Sequence, residues 1–152
     1  MAHEEEQDIV IVGGGPAGLT AALYLGRARK RVAVVDAGNP RHAVSEGVHN
    51  FITRDGLPPA ELRREAWQQM AMYPSVSHVR DVVRMLVRDE DWWVADTQSH
   101  GPLRARAVLL ATGVVDQHPD IDGYAARWGR SIHHCPYCHG WEMKERPLAV
   151  LA

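Results

Sequence analysis

The first strong signal along the chain is residues 8–12 (DIVIV), where Asp8 leads into an unbroken apolar run closed by three glycines. A run this short predicts a buried strand. Residues 16–29 then place Leu19, Ala22 and Leu23 on one helical face. Pro16 suits the first turn of that helix, where its missing N–H has no intrahelical partner to lose. Lys30 and Arg31 add positive charge just beyond the C-terminal end, where the helix dipole favours it. Residues 32–35 (VAVV) predict a second buried strand, ending at Asp36. Strand, helix and strand in this order make a β-α-β unit, the building block of parallel sheets.

Residues 37–58 hold five glycines or prolines among polar residues and read as a long functional loop. The next helix is predicted over 59–73. Leu62, Ala66 and Met70 recur at four-residue spacing, Arg63 and Arg64 turn elsewhere, and Pro74 ends the element. From 76 to 94 the β-branched content rises, with Asp89-Glu90-Asp91 as a turn between two strands. Residues 104–106 add a third strand to this meander, and 108–111 form a further short strand closed by Thr112-Gly113. Residues 114–134 are mixed, broken by Pro119 and Gly123, and 147–151 predict the opening of another strand. The sequence has no internal repeat and no low-complexity tract.

Composition narrows the class. Apolar residues make up 45% of the 152, enough for a packed core, and 17 basic against 19 acidic side chains leave a formal net charge of -2. That balance gives no basic stripe for nucleic acid. No apolar run approaches the roughly 20 residues that cross a bilayer. The N-terminal MAHEEEQD lacks the positive flank and apolar stretch of a signal peptide. A soluble, cytoplasmic α/β protein without nucleic-acid or membrane partners is expected. Cys135 and Cys138 are too few and too close to staple a secreted scaffold.

Gly13-Gly14-Gly15-Pro16-Ala17-Gly18 fits the G-x-G-x-x-G pattern, after a predicted strand and opening a predicted helix. Gly13 permits the tight turn, Gly15 lets the backbone approach a pyrophosphate, and Gly18 lets the helix pack on the sheet. The phosphates would then sit at the positive end of the helix. Asp36, at the end of the second strand, is placed to accept hydrogen bonds from ribose hydroxyls. An acid there repels a 2′-phosphate, so this first site reads as FAD or NAD rather than NADP. The alternative is a merely tight strand-to-helix turn, which needs fewer glycines and no acid.

His133-His134-Cys135-Pro136-Tyr137-Cys138-His139-Gly140 has three readings. The first is a redox dithiol, with imidazoles to move protons or stabilise a thiolate. A metal site is the second, although structural zinc sites draw ligand pairs from separated segments and no distant second pair exists. Two inert buried cysteines are the third, which the surrounding histidines and proline disfavour.

In the order GGGPAG, an acid after the second strand, LLATG at 109–113, CPYC and then a new apolar run, the chain resembles the low-molecular-weight thioredoxin reductases and their near relatives. These are FAD-containing pyridine nucleotide-disulfide oxidoreductases. The resemblance covers nearly all of the chain and implies an α/β fold: a Rossmann-like, three-layer β-β-α FAD-binding domain with a small antiparallel meander, incomplete at the C-terminus. Residues 1–146 would be the FAD-binding portion with the C-x-x-C segment, and 147–152 the start of a truncated NAD(P)-binding domain. FAD is the implied cofactor. Gly13, Gly15 and Gly18, with Pro16 and Ala17 in the same turn, would hold its pyrophosphate, and Asp36 its adenosine ribose. Val48-His49-Asn50-Phe51 matches a loop near the flavin, which makes Asn50 a flavin contact or else a plain turn former. Thr112 and Gly113 match a strand end close to FAD. Cys138 takes the place of the thiol beside the flavin, and Cys135 that of the interchange thiol. Electrons would pass from NADPH through FAD to the Cys135–Cys138 disulfide, and on to a disulfide substrate, a thioredoxin-like protein or a small molecule. Family members are commonly homodimers.

Two departures qualify the resemblance. His139 stands where the familiar reductases carry an acid, and an imidazole can do the same proton transfer near neutral pH. The segment CPYCHGWE is similar to a side branch that includes dithiol oxidases using oxygen, so oxidase activity is an alternative to reductase activity. The glycine loop of a nicotinamide domain does not occur in these residues, so the NADPH site is expected outside them, and a non-catalytic remnant of the fold is the third alternative.

Overall fold

A computed structural model gives the structure of residues 6–151. The β-α-β unit is present as β1 (Gln7–Val12), α1 (Pro16–Arg27) and β2 (Val32–Val35). Beyond it follow α2 (Pro59–Met70), β3 (Val76–Val79), β4 (Val83–Asp89), β5 (Trp92–Thr97) and β6 (Leu103–Leu110). Two short helices close the order, α3 (Tyr124–Arg127) and α4 (Pro136–His139). The strands form one sheet in the order β3-β2-β1-β6-β5-β4. β1 pairs in parallel with β2 and β6, and β2 with β3, whereas β4, β5 and β6 are joined antiparallel.

Alternation along β1 divides two cores. Ile9 and Ile11 face the helices, in a cluster with Ala22 of α1, Val32 and Val34 of β2 and Met70 of α2. Val10 and Val12 face the other way, against Ala33, Val35, Val83, Leu86, Ala95 and Leu103. The parallel strands are therefore covered by helices on one side and by antiparallel strands on the other, the expected β-β-α layering. That explains why β2 and residues 9–12 of β1 are apolar throughout: strands covered on both faces have no solvent side. Full burial of each Val or Ile here contributes about 1.5–3 kcal/mol, before ordering costs are subtracted.

Several element boundaries differ from the sequence reading. Residues 76–94 hold β3, β4 and the start of β5, not two strands. The break lies at Asp81, whose carboxylate accepts the N–H groups of Val82, Ser99 and His100 and so turns the chain away from β2. The strands expected at 104–106 and 108–111 are one strand, β6, which bridges the parallel and antiparallel parts. α1 stops at Arg27 because Arg29 takes a left-handed conformation (φ 58°), and the N–H groups of Arg29 and Lys30 return to the carbonyls of Gly26 and Leu25. α2 ends at Met70 rather than 73. No strand forms at 147–151, where Leu148 and Val150 lie exposed with no neighbouring strand to bond them.

By internal packing the chain falls into two compact units. One takes the chain up to Pro40 together with Arg63–Val114; the other takes Arg41–Leu62 together with the residues from Val115 onward. The first holds the whole sheet. The second holds a 3-10 turn (Arg41–Val44), a small bridge between Val48 and Leu57, α3 and α4. In this unit His134, next to Cys135, stacks on Trp128 with centroids 5.4 Å apart, and His118 meets Trp128 at a tilt with centroids 4.6 Å apart. Among the described residues no helix is long and apolar enough to cross a membrane.

Candidate functional site

In the first unit the glycine loop joins β1 to α1. Gly13 lies at φ 108°, where a side chain is strained, and a Cβ there would come within 2.3 Å of the Ala111 carbonyl oxygen. Gly18 faces the Gly13 carbonyl oxygen so closely that a Cβ would meet it at 1.9 Å. Gly15 is different: a Cβ on it would meet nothing within 4 Å. Gly15 is also the N-cap of α1, and no side chain caps the helix there. The first-turn N–H groups, including those of Ala17 and Gly18, therefore lack a capping carboxylate or hydroxyl, while Pro16 has no N–H to satisfy. An uncapped helix start behind a backbone that a ligand can approach closely fits a pyrophosphate.

Asp36 stands beside this loop at the end of β2. Its Oδ1 accepts the Gly14 N–H at 3.1 Å, and its Oδ2 pairs with Arg63. Arg63 also donates to the Gly38 carbonyl. Sequence periodicity turns Arg63 away from the apolar face of α2, yet the structure turns it inward onto the expected ribose acid. Periodicity sorts apolar from polar faces and carries no signal for a half-buried ion pair between a loop and a helix. Thr112 and Gly113 follow β6 in the same unit, both exposed, with Gly113 at φ 68°.

The cysteine pair lies in the second unit, on α4. Cys135 is the N-cap, Pro136 opens the helix and Cys138 sits one turn on. The sulfurs are 2.7 Å apart, with the Cys138 thiol donating to Cys135. That bond, then the backbone N–H groups of Cys138 and Tyr137 and the Arg41 guanidinium, hold the Cys135 thiol below its ordinary range against the cost of burial. Donating the same bond pushes Cys138 up, and burial adds to the shift. The pair is thus asymmetric: Cys135 is the stronger nucleophile by thiolate content. Arg41 itself is held by a two-point pair with Asp116.

His139 stacks on His133, with centroids 4.3 Å apart, and neither ring nitrogen of either residue makes a hydrogen bond. Burial, followed by the neighbouring His133, lowers the His139 pKa, so its imidazole is neutral near pH 7. His49 lies 3.6 Å from the Asp55 carboxylate and 3.4 Å from that of Glu142. Asn50, expected at the flavin or in a plain turn, has a left-handed backbone (φ 63°), and its side-chain amide donates to the Tyr137 carbonyl at 2.7 Å. Of the residues singled out from sequence, the structure thus gathers Gly13, Gly15, Gly18 and Asp36 in one unit, and Cys135, Cys138, His139 and Asn50 in the other.

A glycine loop with its acid and an asymmetric C-x-x-C dithiol thus stand on one α/β chain. Residues 7–151 match the pyridine nucleotide-disulphide oxidoreductase family, and the chain belongs to that family. It is 38% identical to the thioredoxin reductase tcpT of Claviceps purpurea over 100% of this chain and 48% of that protein. With the thioredoxin reductase sirT of Leptosphaeria maculans it shares 38% identity over 95% of this chain and 45% of that one. Among solved structures, an oxidoreductase from Agrobacterium tumefaciens superposes with a TM-score of 0.88 at 38% identity, covering 92% of this chain and 48% of its own. HlmI superposes with a TM-score of 0.84 at 38% identity, covering 94% and 46%. The chain therefore spans about half the length of these relatives.

Proposed function

We propose that this chain supplies the FAD-binding loop and the dithiol of a thioredoxin reductase-like disulfide oxidoreductase. The observation that carries the reading is the asymmetric pair, with sulfurs 2.7 Å apart and the lowered pKa on Cys135. In the proposed reaction the Cys135 thiolate attacks one sulfur of the substrate disulfide. A mixed disulfide forms and the other substrate sulfur leaves, taking a proton. The Cys138 thiol loses its proton and attacks the Cys135 sulfur, releasing the second substrate thiol. The substrate has gained two electrons and two protons, and Cys135–Cys138 has become a disulfide. When bound, FAD supplies the two-electron relay that returns the pair to the dithiol at the expense of NADPH. Gly13, Gly15 and Gly18 with the α1 N-terminus would hold the pyrophosphate, and Asp36, oriented by Gly14 and Arg63, the ribose. His139, neutral and next to Cys138, is the proposed proton acceptor and donor for that thiol.

The test is brief alkylation of the reduced chain followed by mass mapping. Cys135 should label first, and oxidation should restore a Cys135–Cys138 bridge that reduction opens again. Equal and slow labelling of both cysteines, with no bridge, would overturn the reading.

A further inference from the structure

Asn50 does something that a turn former need not do. Its side chain reaches 87 residues along the sequence to donate a 2.7 Å hydrogen bond to the Tyr137 carbonyl, inside the C-x-x-C turn. Tyr137 has no other distinguishing role in the segment: its ring is exposed, and only its backbone is engaged. The peptide that accepts at the Tyr137 oxygen carries the Cys138 N–H at its other end, and that N–H is among the groups that favour the Cys135 thiolate. A hydrogen bond to a carbonyl polarises its peptide and strengthens the N–H on the far side. The residues around Asn50 brace it. Its own N–H donates to Asp55 Oδ1 at 2.8 Å, Val48 pairs with Leu57 across the loop, and His49 lies between Asp55 and Glu142, just beyond α4.

We propose that Asn50 is a positioning residue for the Cys135–Cys138 pair, acting through the Tyr137–Cys138 peptide. This rests on the pair being the redox centre. The loop at 48–57 is then a clamp on α4, fixed at Tyr137 through Asn50 and near Glu142 through His49. Asn suits the task on two counts: it tolerates φ 63° better than most residues, and it carries an amide donor.

Those two properties can be separated by substitution in the full chain. Asn50→Gly keeps the backbone freedom and removes the donor. Asn50→Asp keeps the shape and sets a carboxylate, which cannot donate, against the Tyr137 carbonyl. Asn50→Ala removes both properties. The measurement is the pH midpoint of iodoacetamide labelling at Cys135, followed by mass mapping, with the thermal midpoint recorded alongside. The charged or titratable groups that act most on Cys135 are Cys138 and Arg41, the latter paired with Asp116, and these three, like the neighbouring His134, are unchanged in every variant.

In Asn50→Gly the loosened Tyr137–Cys138 peptide should lose part or all of one ordinary hydrogen bond to the Cys135 thiolate, raising its midpoint measurably and by up to about 0.7 pH unit, a roughly fivefold change in acid dissociation. Asn50→Asp should raise it at least as much, with thermal midpoints of both variants close to wild type. If Asn50→Gly titrates like wild type while only Asn50→Ala departs, the residue serves the turn alone and the proposal is overturned. A wild-type chain that forms no Cys135–Cys138 bridge would refute the redox reading itself, whatever the Asn50 variants do.

Discussion

Gly15 and Gly18 belong to one loop and one sequence pattern, but the structure places opposite demands on them. A Cβ at Gly18 would press into the Gly13 carbonyl at 1.9 Å, backbone against backbone, whereas one at Gly15 meets nothing. Gly18→Ala should therefore destabilise the chain by about 2 kcal/mol or more, in the range of overpacked sites. Gly15→Ala should change stability by less than about 0.5 kcal/mol and weaken FAD binding, because a methyl group blocks close phosphate approach. Urea denaturation and a fluorescence titration with FAD separate the two effects; equal losses of stability would refute the distinction. At this scale the glycines, Asp36 and both cysteines were legible because each belongs to a spaced pattern with a mechanism. The Arg63 contacts to Asp36 and Gly38 and the Asn50 bond to Tyr137 were not. These are long-range polar contacts, and no period or spacing in the sequence encodes them. The sequence reading turned Arg63 outward on helical periodicity, and left Asn50 between a turn and a flavin contact.

The elements were legible where a strand is covered on both faces. Residues 9–12 of β1 and all of β2 are continuous apolar runs, and Ile11 and Val34 are fully buried. Boundaries failed where side chains redirect the backbone, as Asp81 does between β3 and β4. Burial opposes the charge on Asp81, but the N–H groups of His100, Val82 and Ser99 and the Thr97 hydroxyl bring its pKa down to about 2. A carboxylate with a lowered folded pKa contributes stability that is present above its unfolded value near 3.8 and lost as pH falls toward 2. Asp81→Asn should lower the thermal midpoint at pH 7 and flatten its decline between about pH 4 and 2; an unchanged profile would mean that the three N–H groups do not depend on the charge. The same sheet offers an internal contrast. Ile11→Ala should cost about 2–5 kcal/mol, as a fully buried site between packed layers. Leu110→Ala, paired with Val12 only one position beyond Ile11 but 66% exposed, should cost under about 0.5 kcal/mol.

Across the whole molecule, the two units share one acid sensitivity although their chemistry differs. His78, in the first unit, stacks on Trp67 at 3.7 Å; burial lowers its pKa, Asp36 opposes the shift, and Arg80 and Arg63 add to it. His139, in the second, is lowered by burial and then by His133, with Glu142 opposing and His49 and His134 adding. A histidine whose folded pKa lies below its unfolded value of 6.5 binds fewer protons when folded. Its stabilising contribution is present above 6.5 and is lost as pH falls through the folded value. Asp8 and Asp116 are lowered by their partners Arg31 and Arg41 and act in the same direction, but only below the ordinary carboxylate range. Acid loss should therefore come in two stages, an early one from the histidines and a later one from the carboxylates. On the alkaline side the two thiols act in different windows: the lowered Cys135 thiol adds stability as pH rises toward its ordinary value of 9.0, and the raised Cys138 thiol loses its contribution only above that value. Thermal melting of the reduced chain from pH 2 to 9 tests this. The midpoint should fall between pH 7 and 5, and the paired substitution His78→Gln with His139→Gln should remove most of that early fall while leaving the later stage in place. A wild-type midpoint that is level from pH 7 to 5 would show that neither imidazole is held neutral by the fold, and would remove the basis for assigning proton transfer to His139.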